Sequence, residues 1–310
     1  VHYEILDQAI KKFESKYPNV KVEYEKGILS NDYSEWLSEQ ILKGTEPDVY
    51  LVLDEDFNTL ASLGALKNLD MLVGGDKEFD FNVFYSSVYK AGQYEGSQYA
   101  LPMECNPTLM FVNKTLLQKE GIKVPDNDWT WDDFYDICKT IVKDSDGDGQ
   151  MDQFGCYDYT WLQAVYSNGI TPFNQSGTSS NFLDEKFSQS LEFVKRLEAT
   201  NRNYQVTSND FDLGKVAFRP FTFSDYRTYM PYPWRIKKYS GFEWTCIRMP
   251  AGPSGDNRSE MSALMAGMSS RTEKKQCAWD FVKLLTTDTD IQKLVYEDTS
   301  AASVLKSVNT

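Results

Sequence analysis

Histidine is almost absent from this sequence: its 310 residues include one, His2. Catalytic triads that depend on histidine, metal sites made of several imidazoles and most imidazole acid–base schemes are therefore excluded. The sequence also lacks any run of about 18 apolar residues, so it predicts no membrane-spanning helix.

Cysteine is scarce and widely spaced, and no two cysteines form a CxxC pair. A zinc site or a redox-active pair is therefore not indicated. An odd number cannot form a complete set of intrachain disulfides, so we expect mostly free, buried thiols that act as small apolar side chains. The cysteines are Cys105, Cys138, Cys156, Cys246 and Cys277.

Positive charge is in the minority, with 32 Lys and Arg against 46 Asp and Glu, for a net charge of -14. Nucleic acids and anionic membranes attract clustered Lys and Arg, so this balance argues against both as partners. Apolar residues make up 41%, which is typical of a globular chain, and the length allows two domains. Aromatic residues reach 14%, and their flat faces with polar tips suit sugar rings as well as cores.

Hydrophobic periodicity alternates between helix and strand in the first part of the chain. It predicts strands at Val20–Tyr24 and Val49–Leu53, and helices at Leu6–Tyr17, about Asp32–Lys43 and about Asp56–Leu63. This alternation indicates an α/β domain with a mainly parallel sheet.

Two short apolar runs, Tyr99–Pro102 and Leu109–Val112, enclose the polar stretch Met103–Pro107. We interpret that stretch as a crossing between two domains. A helix is predicted at about Asp184–Ala199, and the aromatic, proline-broken segment Asp210–Arg248 is predicted to be loop and short strand.

A run of acidic residues resembles the first nine positions of an EF-hand calcium loop. Alternate carboxylates, a glycine for the turn and a backbone carbonyl are the oxygen ligands that Ca²⁺ prefers. The twelfth position, normally Glu, is Gly155, so the second half of the motif is missing. The alternative is a solvated turn after a helix. The predicted structural Ca²⁺ ligands are Asp144, Asp146, Asp148, Gln150 and Asp152.

The order of several motifs resembles family 1 extracellular solute-binding proteins, which serve carbohydrate importers of the ATP-binding-cassette (ABC) type. None is specific alone, but together they span almost the whole chain. The motifs are Ile10–Glu23, Gly44–Val49, Leu63–Leu66, Tyr94–Pro102, Phe111–Lys114, Trp129–Phe134, Met249–Pro253 and Ala278–Phe281. Family members usually continue for several dozen residues beyond the segment that resembles Ser303–Val308.

The resemblance implies a periplasmic-binding-protein-like α/β fold, with two α/β lobes joined by hinge strands and an interdomain cleft for the ligand. The expected first lobe comprises residues 1–106 and 260–310, and the second comprises residues 107–259. The chain starts with Val1 in place of Met, so we expect a mature form whose signal segment was removed. We expect a monomer outside the cytoplasm, either a cell-surface lipoprotein or a periplasmic protein.

Sugar recognition needs aromatic faces that stack on the ring and polar groups that bind hydroxyls. In the first lobe Glu55 follows the predicted strand Val49–Leu53, and it resembles a sugar-binding acid of the family. Asn106, with Glu104 close by, resembles the position of another hydroxyl-binding acid of the family. The alternatives are that Glu55 caps a helix and that Asn106 satisfies backbone groups. Gly267 lies where the chain returns to the first lobe, and glycine there permits close approach of the backbone to a ligand.

In the second lobe two segments resemble cleft segments of sugar binders. The first segment is Tyr157–Trp161, and the alternative for Trp161 is burial in the core by a helix. The second segment is Arg219–Tyr226, with Trp234 nearby, and the alternative for Trp234 is packing beneath a loop. The candidate ligand residues are Tyr157, Asp158, Trp161, Arg219, Phe223, Ser224, Tyr226 and Trp234.

The resemblance predicts a non-enzymatic binding protein that captures a carbohydrate and delivers it to the membrane permease subunits of an ABC importer. The aromatic content of the second lobe favours an oligosaccharide over a monosaccharide. A carbohydrate-active hydrolase with paired carboxylates is the alternative. A calcium-dependent adhesion module is a weaker one, because only a single acidic loop occurs.

Overall fold

The computed structural model describes residues 2–25, 27–229 and 241–309. Its helices are α1 (His2–Lys16), α2 (Tyr33–Lys43), α3 (Asp54–Ser62), α4 (Asp70–Gly75), α5 (Ser86–Lys90), α6 (Lys114–Lys119), α7 (Trp131–Ile141), α8 (Trp161–Ser167), α9 (Glu185–Ala199), α10 (Ser208–Asp212), α11 (Phe223–Tyr229), α12 (Lys275–Thr287) and α13 (Thr289–Asp298). Its strands are β1 (Val49–Leu53), β2 (Gln93–Tyr94), β3 (Ser97–Gln98), β4 (Ala100–Asn113), β5 (Phe154–Cys156), β6 (Val216–Thr222), β7 (Trp244–Ile247), β8 (Met261–Met268) and β9 (Ala302–Ser303). The predicted α/β class is confirmed.

The chain divides into two compact units. The first comprises Val1–Asn106 with Ser262–Thr310, and the second comprises Pro107–Met261. The chain leaves the first unit within β4 and returns to it within β8. The sequence placed these crossings between residues 106 and 107 and between residues 259 and 260.

In the first unit β1 pairs antiparallel with β8, from Val49 opposite Met268 to Leu53 opposite Leu264. β8 is also a neighbour of β4, which pairs antiparallel with β9. Successive side chains of a strand point to opposite faces of the sheet. Val49 and Leu51 accordingly join the core built by α1, α12 and α13, whereas the intervening residues join the core built by α2 and α3. The β1 strand is therefore covered by apolar layers on both faces.

In the second unit the strand order is β7, β4, β6 and β5. β6 pairs antiparallel with β4 and parallel with β5, while β7 pairs antiparallel with β4. The buried rings of Trp131 and Phe193 stack with their centroids 4.3 Å apart and join α7 to α9. Aromatic packing of this kind anchors the helices that cover the sheet.

The predicted mainly parallel sheet is wrong, because β1 pairs antiparallel with β8 and β4 pairs antiparallel with β6, β7 and β9, whereas β5 and β6 pair in parallel. Periodicity in the first 66 residues detects strands but cannot show that residues 261–268 return beside β1. The two runs around Met103–Pro107 are one continuous strand, β4. The segment predicted as loop and short strand also contains the end of helix α10 and the whole of helix α11.

The predicted strand Val20–Tyr24 does not form a strand either. Val20, Val22 and Tyr24 are half-buried and alternate with exposed Lys21 and Glu23, as the pattern requires. A strand also needs a neighbour for its backbone groups, and within the described residues this segment pairs with no strand.

The cysteines are free, as expected, although only Cys105 and Cys138 are buried and the other three are half-buried. Burial raises the pKa of the Cys105 thiol to about 12, with the charge of Glu104 adding to the effect. The Cys105 thiol is therefore protonated and unreactive at neutral pH. None of the described helices is both long and apolar enough to cross a membrane.

Candidate functional site

Two of the predicted acids line one pocket in the first unit. The strand β1 ends at Leu53, and Glu55 is exposed in the first turn of α3, which follows directly. Glu104 lies in β4 and is half-buried. Both contribute to a pocket of about 960 Å³ beside β1. Glu55 and Glu104, 49 positions apart in the sequence, thus share one surface because β1, which ends directly before α3, and β4 belong to one sheet.

Glu104 is already partnered inside this unit. Its Oε2 lies 2.9 Å from Nε2 of His2, so the only histidine of the chain contacts a candidate ligand residue. The Glu104 side chain retains 18% of its exposure, which leaves it accessible to a ligand. The side chain of Glu55, by contrast, makes no hydrogen bond or ion pair within the part of the chain that the structure describes.

The other two first-unit candidates differ in accessibility. Asn106 is half-buried in β4 two residues after Glu104, so the two side chains point to the same face of the strand. Gly267 is buried in β8, where a Cβ atom would come within 2.6 Å of Cδ2 of Leu66. The close approach that requires glycine is therefore to a core side chain, which argues against ligand contact at Gly267.

In the second unit the candidates follow two parallel strands. Tyr157 comes directly after β5, and Phe223 comes directly after β6. The carboxyl ends of neighbouring parallel strands meet at one edge of a sheet, which is where open α/β sheets bind ligands. The register of β5 and β6 therefore brings segments 157–161 and 219–226 to the same edge.

Arg219 is enclosed by aromatic rings at this edge. Its guanidinium carbon lies 5.1 Å from the ring centroid of Tyr157, 4.8 Å from that of Phe211 and 5.6 Å from that of Phe221. These contacts hold the cation by attraction to the faces of the rings. Its Nε atom is buried and has no hydrogen-bond partner among the described residues.

Trp161 presents an aromatic surface at the start of α8. The side chain is 40% exposed, and its ring centroid lies 5.7 Å from that of Phe187. The alternative of a fully buried core tryptophan is therefore wrong. Asp158 precedes it on the loop, is exposed and has a φ of 61°, a left-handed conformation that aspartate tolerates better than most residues.

The remaining second-unit candidates lie on α11. Phe223, Ser224 and Tyr226 are all half-buried. The rings of Phe223 and Tyr226 stack with centroids 6.1 Å apart, and Tyr226 also meets the edge of Trp244 at 6.1 Å. Trp234 lies outside the described residues, so its predicted role stays a prediction.

Glu260 is a candidate that the sequence did not single out. It is half-buried, and its backbone carbonyl accepts a hydrogen bond from the Thr108 N–H at 3.0 Å. Burial raises the pKa of its carboxyl group, which has no ion-pair partner within the described chain. Its position next to the predicted domain crossing was the available signal.

Replacing Glu260 with glutamine should stabilise the protein at pH 7 and leave it unchanged at low pH. A raised folded-state pKa favours the protonated form, so the stability of the wild type falls as pH rises through that pKa. Glutamine cannot ionise, so the melting temperature of E260Q should exceed that of the wild type by a few degrees at pH 7. The difference should vanish below about pH 4, near the pKa of an unfolded glutamate.

The matched control is E243Q, which removes an exposed carboxylate from the same unit. If the melting temperatures of the wild type and E260Q change in the same way between pH 4 and pH 7, the prediction is wrong. Differential scanning calorimetry across that range measures both variants.

Three of the predicted calcium ligands lie together on an exposed loop. The carboxylate oxygens of Asp144, Asp146 and Asp152 come within 4.8 Å of one another. The N–H groups of Gly147 and Gly149 each donate to Asp144 at 2.7 Å. Asp148 lies outside this cluster and accepts a hydrogen bond from the Gln150 N–H at 2.8 Å.

The carboxylates of this loop repel one another. A hydrogen bond from the Asp148 N–H lowers the pKa of Asp146, but the hydrogen bond shared with Asp144 and the charges of Asp148 and Asp152 outweigh it, so the pKa is raised. Hard oxygen ligands at this spacing suit a divalent cation, which would relieve the repulsion. The residues present therefore fit Ca²⁺, although Asp148 would have to turn toward the cluster to join it.

Residues 2–291 match a family model described as bacterial extracellular solute-binding protein. The chain is also 28% identical over 138 residues to the multiple sugar-binding protein of Streptococcus mutans serotype c. That alignment covers 44% of this chain and 30% of the relative, which is less than a third of the relative's length.

Solved structures show the same fold. The sugar-binding protein MalE of Xanthomonas citri is similar with a TM-score of 0.80 and 17% identity, over 98% of this chain and 77% of that one. An ABC substrate-binding protein of Listeria monocytogenes in complex with cycloalternan is similar with a TM-score of 0.67 and 22% identity, over 98% and 77%. At these identities the likeness concerns the fold, which confirms the predicted periplasmic-binding-protein-like class.

Proposed function

Because the chain belongs to the family of bacterial extracellular solute-binding proteins, we propose that it captures a carbohydrate outside the cytoplasm and delivers it to an ABC importer. Members of this family bind solutes and are not enzymes. The family does not support the hydrolase alternative.

The observation that carries the proposal is the chemistry at the strand ends. Acceptor groups, Glu55 and Glu104, line one pocket of the first unit. Aromatic surface and a buried N–H donor, at Trp161 and Arg219, lie at the carboxyl edge of β5 and β6 in the second unit. Carboxylates accept hydrogen bonds from hydroxyls, and aromatic faces stack on sugar rings.

The proposed ligand is a neutral oligosaccharide. Several partly exposed aromatic side chains in the second unit favour a ligand with more than one ring. The net charge of -14 disfavours an anionic solute. The similar proteins, a multiple sugar-binding protein and an ABC substrate-binding protein in complex with cycloalternan, support a sugar as the ligand class.

A thermal-shift screen against mono- and oligosaccharides tests the proposal. A sugar that binds only the folded state raises the melting temperature, by an amount equivalent to about 2.7 kcal/mol at a hundred times its Kd. Thin-layer chromatography of the same mixtures should show intact sugar. Cleavage would support the hydrolase, and the absence of any shift across the panel would count against a carbohydrate ligand.

A second proposal concerns the acidic loop. We propose that Asp144, Asp146 and Asp152, with Asp148 and the Gln150 carbonyl, hold one structural Ca²⁺ ion that stiffens this loop. The closeness of the three carboxylates and the raised pKa of Asp146 support it. The ion would neutralise charge and take no part in chemistry.

Removal of calcium should lower the melting temperature by several degrees, and added Ca²⁺ should restore it. D146N relieves part of the repulsion, so it should raise the melting temperature of EDTA-treated protein and abolish the response to Ca²⁺. D126N, which changes an exposed aspartate of the same unit, should keep that response. An unchanged melting temperature on chelation would show that the loop holds no ion.

A further inference from the structure

Trp161 belongs to a row of aromatic rings on the surface of the second unit. The ring centroid of Phe187, at the start of α9, lies 5.7 Å from that of Trp161 and 5.0 Å from that of Phe182. Phe187 is buried, whereas Trp161 is 40% exposed and Phe182 is 46% exposed. One buried ring therefore supports two exposed rings, and the contacts between them resemble the aromatic packing of a protein core.

The loop between α8 and α9 presents Phe182, and hydrogen bonds fix the backbone on both sides of it. The Asn181 N–H donates to the Pro172 carbonyl at 2.8 Å, and the Asn181 side-chain amide donates to the Thr171 carbonyl at 2.9 Å. After Phe182, the side chain of Asp184 caps the first turn of α9. A ring held on a fixed backbone loses little conformational freedom when it contacts a ligand.

The segment that carries the two exposed rings is uncharged. Residues 159–183 contain no Asp, Glu, Lys, Arg or His, although Asp, Glu, Lys and Arg make up 25% of the chain. Between Thr171 and Leu183 most residues are Ser, Thr, Asn or Gln, which can both donate and accept hydrogen bonds. Aromatic faces among uncharged polar groups match a ligand of neutral rings that carry hydroxyls, and they offer no ion pair to a charged partner.

We propose that Phe182 is a second stacking contact for the oligosaccharide, so that Trp161, Phe187 and Phe182 form one aromatic shelf. One sugar ring stacks on Trp161, and a later ring of the same sugar chain stacks on Phe182. The role of Phe182 rests on the proposed carbohydrate binding and makes it more specific, because the shelf selects sugars by chain length. All three residues belong to the second unit.

The aromatic shelf ends at Phe182. Phe173 is the next exposed ring, and its centroid lies 5.6 Å from that of Phe182. Within the described residues Phe173 contacts no other aromatic ring, so it lacks the buried aromatic base that supports Trp161 and Phe182. Phe173 is therefore the matched control, an exposed phenylalanine of the same loop that lies outside the shelf.

Isothermal titration with α-linked glucose oligomers and β-linked mannose oligomers, each from a single ring to a hexamer, tests the aromatic shelf. In the wild type the affinity should rise with chain length. In F182A this rise should be about tenfold smaller, because one aromatic contact is lost. Sugars too short to extend beyond Trp161 should bind F182A like the wild type. F182Y keeps an aromatic face and should retain the rise, and F173A should bind every length like the wild type.

Two results would overturn the role of Phe182. The first is an equal loss of affinity for short and long sugars in F182A, and the second is an equal loss in F173A, which would indicate a disturbed loop. Melting temperatures show whether each variant remains folded. If neither series binds the wild type, or if short sugars bind with no gain from further rings, the shelf is wrong. The wider thermal-shift panel separately decides whether the chain binds a carbohydrate, so the two failures are distinguishable.

Discussion

Replacement of Trp161 with alanine is expected to weaken oligosaccharide binding roughly 30-fold, the effect of losing about 2 kcal/mol at a dominant aromatic contact. The side chain is 40% exposed at the carboxyl edge of β5, and Phe187 supports one part of its ring. An aromatic face held in this way can stack on a sugar ring without being ordered first. Isothermal titration with the sugar identified by thermal shift measures the change.

The matched control for Trp161 is Phe173. Phe173 is also an exposed aromatic residue of the second unit, with 53% of its surface accessible, and its ring centroid lies 5.6 Å from that of Phe182. In the sequence, however, it does not lie next to the end of β5 or β6. F173A should bind sugar like the wild type. If W161A binds within a factor of two of the wild type while remaining folded, Trp161 is not a ligand contact.

Replacement of both Glu55 and Glu104 with glutamine should reduce affinity by about 100-fold, since each hydrogen bond to a charged group contributes about 1.5–3 kcal/mol. The substitutions keep the size of the side chains and remove their charge. Each single variant should lose about tenfold, with the larger loss at Glu104 because it is the more buried acid.

The control is E39Q, which removes an exposed carboxylate of the same unit whose partner is Lys43 at 3.2 Å. Its affinity should equal that of the wild type. Melting temperatures should be compared throughout, because E104Q also alters the hydrogen bond to His2. Unchanged sugar affinity in the double variant would exclude this pocket from the ligand site.

Local periodicity predicted the first helices and β1 because those elements depend on neighbours a few positions away. The apolar steps of α1 and the buried run Val49–Leu53 lie where the pattern placed them. The same pattern at Val20–Tyr24 was not sufficient, because a strand requires a partner that no local signal can supply.

Some candidate site residues could likewise be located from local sequence, whereas others depend on tertiary contacts. Glu55 could be located from sequence because it follows directly on β1, whereas the raised pKa of Glu260 depends on surroundings built from distant segments. Gly267 shows the limit clearly. The sequence indicates that something approaches the backbone closely there, but only packing reveals that it is Leu66.

The sequence by itself determined the α/β class, the family resemblance, the near absence of histidine chemistry and the residue types at each strand end. Only the tertiary structure decided that Glu55 and Glu104 share one pocket, that Tyr157 meets Arg219, and that β1 pairs with β8. These features depend on strand register and on which strands become neighbours. Both are set by contacts between residues far apart in the chain, and local residue patterns do not record them.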